Sequence, residues 1–167
     1  MHLLVAQLQF ARSEFLRCLE GVTEEDGRRR VESMNSISWT VGHMANQENS
    51  YWVRVAQGKD AAPGLRELVG TGRPASTPSL DEMWRAWRVV TAEADPYLQA
   101  LTPAVMETFF QRDGKPVDEN VGTLLMRNIF HYWFHTGQVH AVRELLGHKD
   151  LPEFVGDMPA AFYHRED

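Results

Sequence analysis

Apolar residues recur along this chain at helical spacing in four stretches separated by polar ones. Leu4, Leu8, Ala11, Phe15, Cys18 and Leu19 form one stripe at intervals that suit 3.6 residues per turn, which predicts a first helix over about His2 to Leu19. Ile37, Val41, Met44, Tyr51, Trp52 and Val55 predict a second, from about Ser38 to Ala56, with cap candidates Ser33, Asn35 and Ser36 ahead of it. Ser79 is placed to cap a third helix, and Glu82 three residues on completes a capping box. Its inner face reads Leu80, Trp84, Trp87, Thr91, Ala94, Leu98 and Leu101, with Pro96 expected to kink it or end its first part. A fourth, long helix is predicted from about Val121 to Leu146, stopped by Gly147.

The connections are uneven. Gly21 to Glu32 reads as a polar link, and Gly58 to Ser79 as a crossover rich in Gly, Pro, Ser and Thr with one helical turn at Leu65 to Val69. A connection of that length is either a plain crossover or a binding loop. Val105 to Gln111 followed by Asp113-Gly114 predicts a short irregular hairpin, after which Pro116 to Asn120 leads into the fourth helix. Four amphipathic helices with one crossover long enough to span them predict an all-α four-helix bundle, a single domain over residues 1–167.

Charge and composition narrow the function classes. A net charge of −6 and a pI near 5.6 argue against a nucleic-acid surface, which needs clustered Lys and Arg. The single basic run, Arg28-Arg29-Arg30, has acidic neighbours and reads as a solvated turn or helix end. No apolar run approaches membrane-spanning length, and the N-terminus lacks the basic start of a signal peptide. A single cysteine rules out an internal disulfide framework and fits a reducing, cytoplasmic compartment. Cys18 lies on an apolar stripe, where burial makes it core packing rather than a nucleophile.

The fourth helix carries the chemistry, in Asn128-Ile-Phe-His-Tyr-Trp-Phe-His-Thr-Gly-Gln138. His135 sits about 40° around the axis from His131 and one turn along, so both imidazoles can reach one metal ion. Leu124, Asn128, Gln138, Val142, Leu145 and Leu146 fall within about 60° of His131, which predicts that the histidines point where the helix buries its leucines. A single core histidine is ordinarily just hydrogen-bonded, but two neutral imidazoles side by side need partners for four nitrogens, and a shared metal is a compact solution for two of them. Position 132 is Tyr where a zincin would carry its Glu base, so this is not a zincin helix. A catalytic zinc-type site usually has three protein ligands and an open position for water or substrate. His140 lies opposite His131, His148 about 100° off, and His2 and His164 near the termini, which leaves two third-ligand candidates on the second helix. His43 lies about 120° from that helix's stripe, on its flank. Glu48 lies within the stripe, where a carboxylate must be paired, protonated or near a metal, as ligand, supporting partner or general base.

Ser36-Ile-Ser-Trp-Thr-Val-Gly-His43-Met on the second helix, with His131-Tyr-Trp-Phe-His135-Thr-Gly-Gln138 on the last, resembles the DinB-like (YfiT-like) superfamily of metalloenzymes. Thr136 stands where many members have Arg. The resemblance implies a four-helix bundle in which His43, His131 and His135 hold a divalent metal, zinc or nickel, with Glu48 as a pocket carboxylate. It further implies metal-dependent chemistry of a low-molecular-weight thiol, S-transfer or isomerisation, on a small-molecule substrate, and a homodimer. In this reading Gln138 orients His135 or a bound water, and Arg127 holds a carboxylate of the thiol cofactor. The aromatics Trp39, Trp52 and Trp133 are the candidates for an exposed dimer face. The alternatives are a metal-dependent hydrolase using metal-bound water with Glu48 as base, and a non-catalytic bundle that binds a metal or small molecule.

Overall fold

The computed structural model describes residues 1–112, 114–156 and 158, so Asp113 of the expected Asp-Gly turn and His164 lie outside the described residues. The first stripe winds as α1 (Leu3–Cys18), whose N-terminus is capped by His2, its Nδ1 accepting from the Leu4 N–H at 3.2 Å. The link after it is not featureless. Thr23 caps a short helix α2 (Glu24–Arg28), its hydroxyl accepting from the Asp26 N–H at 3.1 Å.

Ser36 starts α3 (Ile37–Glu48) by accepting from the Trp39 N–H, and the helix runs on as a π segment (Asn49–Val55). The crossover carries α4 (Leu65–Val69), whose Leu65 and Val69 are buried and anchor it to the core. Ser79 caps α5 (Leu80–Gln99), its Oγ accepting from the Glu82 N–H at 3.4 Å. The next two N–H groups of the helix are met from elsewhere: the Glu24 carboxylate of α2 accepts from the Leu80 and Asp81 N–H groups, each at 3.1 Å. Pro96 does not end this helix, which continues to Gln99.

A short α6 (Pro103–Met106) leads into β1 (Phe109–Arg112), antiparallel to β2 (Lys115–Asn120) with a register shift between Phe109 and Gln111. Asn120 then caps α7 (Val121–Leu145) through the Thr123 N–H at 2.8 Å, and Gly147, at φ +86°, turns the chain out of it.

The described residues are mostly helical with this one small sheet. Helix α1 packs on α7, α3 packs on both α5 and α7, and the π segment packs on α5. No helix among the described residues is long and apolar enough to cross a membrane.

Two sequence expectations about faces need correction. The buried side of α7 is centred on Tyr132, Thr136 and Val139, about 100° around the axis from His131, and Leu145 is 59% exposed. His131 therefore sits on the rim of the buried face, half-buried, and His135 just inside it. The cause is that α7 divides its contacts between α1 and α3, so its core face points between them. The second correction concerns aromatics: Trp39 and Trp52 are buried and Trp133 half-buried, whereas Phe130 and Phe134 are exposed.

Candidate metal centre

Helix α3 is buried almost all round, from Ile37 to Ala45, because α2, α4, α5 and α7 surround it. The flank on which His43 lies is thus a seam with α7, and His43 meets the histidine pair there. Its Nε2 lies 3.2 Å from His131 Nε2, and His135 Nε2 lies 3.0 Å from His131 Nε2. The Trp39 ring stacks on His43 with centroids 4.5 Å apart and holds the imidazole in plane.

The other nitrogen of each ring meets an oxygen. His43 Nδ1 is 3.0 Å from the Val69 carbonyl, His131 Nδ1 is 2.7 Å from Gln47 Oε1, and His135 Nδ1 is 2.8 Å from Gln138 Oε1. For His131 the tautomer follows from a chain of fixed roles. An indole N–H can only donate, and Trp52 Nε1 donates to Asn128 Oδ1 at 2.7 Å. Asn128 must then donate through Nδ2 to Gln47 Oε1, at 2.8 Å. That oxygen accepts again, so His131 Nδ1 carries a proton and its Nε2 a lone pair. A carbonyl oxygen imposes the same state on His43. The Nε2 lone pairs of His131 and His43 thus face each other, and His135, with Gln138 Oε1 behind its Nδ1, turns its Nε2 to the same point.

Electrostatics keep the rings neutral. Burial, and then the nearby His135 and His43 rings, push His131 down to about 3. Burial and the His43 ring take His135 down to about 4. Burial also lowers His43, against the opposing pull of the Val69 carbonyl. Three neutral imidazoles with facing lone pairs repel one another, and a cation between them removes the repulsion. The spacing suits one: with metal–nitrogen bonds of about 2.0–2.1 Å, a tetrahedral site needs nitrogens about 3.3 Å apart and an octahedral face about 2.9 Å. The observed 3.0 and 3.2 Å lie between the two and favour neither geometry.

Among the described residues, His43, His131 and His135 are the one group of three or more His, Cys, Asp or Glu placed to hold a metal ion. Glu48 is not part of it. It is fully buried, with Arg12 donating to both its oxygens and the Tyr132 hydroxyl donating to Oε1 at 2.5 Å, so the sequence alternatives for this carboxylate reduce to pairing. Arg127 lies one turn from His131 but is exposed and paired with Glu119, whose carboxylate accepts from its Nε and Nη2. Thr136 is buried on the α1 side, where its carbonyl lies 3.7 Å from Cys18 Sγ. Cys18 is fully buried, and burial pushes its thiol up to about 11.

Gln47, Asn128 and the Val69 carbonyl were absent from the roles expected of the sequence. For Gln47 a signal existed: it stands four residues after His43, the interval that separates His131 from His135. Two cavities open one turn from the triad. One, of ≈ 290 Å³, is lined by Tyr51, Phe110, Glu119 and Arg127 among others. The second, of ≈ 910 Å³, shares Tyr51 and Arg112 with it and extends to the crossover. A family model described as mycothiol-S-transferase matches residues 3–147. No curated protein matches the chain.

Proposed function

The chain belongs to the mycothiol-S-transferase family, within the DinB-like superfamily that its histidine motifs resemble, and from there we propose that it is a metal-dependent thiol S-transferase. The observation that carries the reading is the convergence of three Nε2 atoms, from His43, His131 and His135, each ring backed by an oxygen at its other nitrogen. A divalent cation such as zinc or nickel, when bound there, supplies a Lewis-acid centre that favours the thiolate form of a low-molecular-weight thiol.

The chain's own residues do the rest. Gln47 and Gln138 hold His131 and His135 in the ligating tautomer, and Val69 does so for His43. The ≈ 290 Å³ cavity, one turn from His131, takes the polar body of the thiol, with Arg127 and Glu119 on its wall as hydrogen-bonding groups. In this reading the four long helical segments form a DinB-like four-helix bundle and a single domain. The stripe of Met126, Phe130 and Phe134 on α7, 41%, 62% and 61% exposed, supports a homodimer. The hydrolase alternative has less behind it, because Glu48, its expected base, has both oxygens engaged by Arg12 and Tyr132.

The test joins metal content with thiol transfer. Protein purified without a polyhistidine tag is assayed for metal by mass spectrometry beside His43→Ala and His131→Ala, and for metal-dependent consumption of mycothiol by an electrophile. Near-stoichiometric metal lost in both variants, with transfer lost alongside it, is the expected result. Full metal retention in either variant, or transfer indifferent to a chelator, refutes the reading.

A further inference from the structure

The ≈ 910 Å³ cavity carries a charge that the thiol reading does not use. Four of its lining residues are arginines and none is acidic, in a chain whose net charge is −6. They arrive from four separate segments: Arg54 from the π segment, Arg66 from α4, Arg73 from the crossover and Arg112 from β1. Arg54 has a loose partner in Asp60, at 3.7 Å. Among the described residues no carboxylate pairs with the side chains of Arg66, Arg73 or Arg112, whereas Arg12, Arg17 and Arg127 each have one. Three guanidinium groups with no paired carboxylate make a field that draws an oxyanion, and their planar donors match a carboxylate.

The cavity also adjoins the metal centre. Asn46 precedes Gln47, the support of His131, and Gly70 follows Val69, the support of His43. A ligand held by the arginines therefore lies against the two segments that position the triad. We infer that this cavity selects the acceptor: the electrophile is an organic anion whose carboxylate is held by Arg66, Arg73 and Arg112, with its reactive carbon turned toward the triad. This rests on the transferase reading for the reaction but not for the binding. With an aryl chloride as probe, the thiol sulfur bonds to the ring carbon, chloride leaves with the carbon–chlorine electron pair, and the thiol proton passes to solvent.

Two measurements on the metal-loaded full chain separate the claims. The first compares kcat/KM, with mycothiol as donor, for 4-chloro-3,5-dinitrobenzoate and the uncharged 1-chloro-2,4-dinitrobenzene. The anion-to-neutral ratio is expected to fall about tenfold or more in the Arg66→Gln/Arg73→Gln double variant, the loss of a charge-assisted pair. An unchanged ratio overturns the inference. The second is calorimetric titration with 3,5-dinitrobenzoate, which lacks a leaving group and needs no turnover. Binding to the parent, weakened about tenfold or more in the double variant, supports the anion pocket even where neither electrophile is consumed and the transferase reading falls. No binding to the parent overturns the pocket and leaves any transfer to the neutral electrophile standing.

Discussion

At the scale of single residues, the centre depends on which nitrogen of each imidazole holds its proton. Gln47 Oε1 accepts from both Asn128 and His131, so Gln47→Leu strands two donors beside the triad. Metal affinity is expected to drop about 10–100-fold, as it does when an outer partner of a ligating histidine is removed. Competition against a chromophoric chelator measures this, and an unchanged affinity would show that His131 needs no such support. The same residues set a pH dependence. In the metal-free protein His131 and His135 titrate at about 3 and about 4, below the 6.5 of an ordinary imidazole. The unfolded chain therefore takes up protons that the folded one refuses. The stability is fully present above about pH 6.5 and is lost as pH falls toward 4 and then 3. The urea midpoint of the metal-free protein should be lower at pH 5 than at pH 7.5, and a midpoint that holds or rises contradicts a neutral, buried pair.

At the scale of elements, α3 is the one that the others close around, and Gly42 is where they come nearest. A Cβ there would stand 2.3 Å from Met83 Sδ on α5 and 3.2 Å from Val69 Cγ2 on α4. Gly42→Ala should destabilise by about 1–3 kcal/mol through overpacking, and should weaken metal binding because Val69 holds His43. Thermal unfolding beside a metal titration checks both effects, and an unaltered melting temperature would mean that Met83 swings clear at no cost. The long helices were legible because each shows an apolar stripe of helical period, and the second and third because cap candidates stand ahead of them. Helix α2 was not, since Glu24–Arg28 is too short and polar for a period to emerge. What it does is tertiary: Gly27 packs on Leu80 and Glu24 caps α5. The π segment also escaped notice, because an apolar stripe read at 3.6 residues per turn does not reveal a local change of winding.

At the scale of the molecule, one buried network joins all four long helical segments. Arg12 of α1 pairs with Glu48 of α3 and with Asp95 of α5, at 2.6 Å for the latter. Tyr132 of α7 donates to Glu48 and accepts from Trp87 Nε1 of α5 at 2.8 Å. Every polar group in it has a partner, which makes its parts costly to remove singly. Glu48→Gln leaves the Arg12 guanidinium short of charge and should destabilise by about 3–5 kcal/mol, while the folded fraction keeps its metal because Glu48 is outside the triad. Denaturant unfolding with metal analysis tests this. A loss under about 1 kcal/mol would show that Asp95 alone suffices for Arg12, and metal lost from folded protein would return Glu48 to the site.

The sequence by itself determined what lies within a turn or two of backbone: the helices, the Ser79 cap, and the one-turn spacing of His131 and His135, which follow from local backbone geometry. It left open how each helix is rotated against its neighbours, because periodicity measures angles about one axis and carries no reference between axes. That rotation decided that the buried face of α7 centres on Tyr132, that the flank bearing His43 is a seam, and that Glu48 meets Arg12 rather than the histidines. It also brought Gln47 and the Val69 carbonyl behind their imidazoles, and four arginines from four segments around one cavity. These contacts join residues far apart in the chain, and only the packing of whole helices brings them within bonding distance.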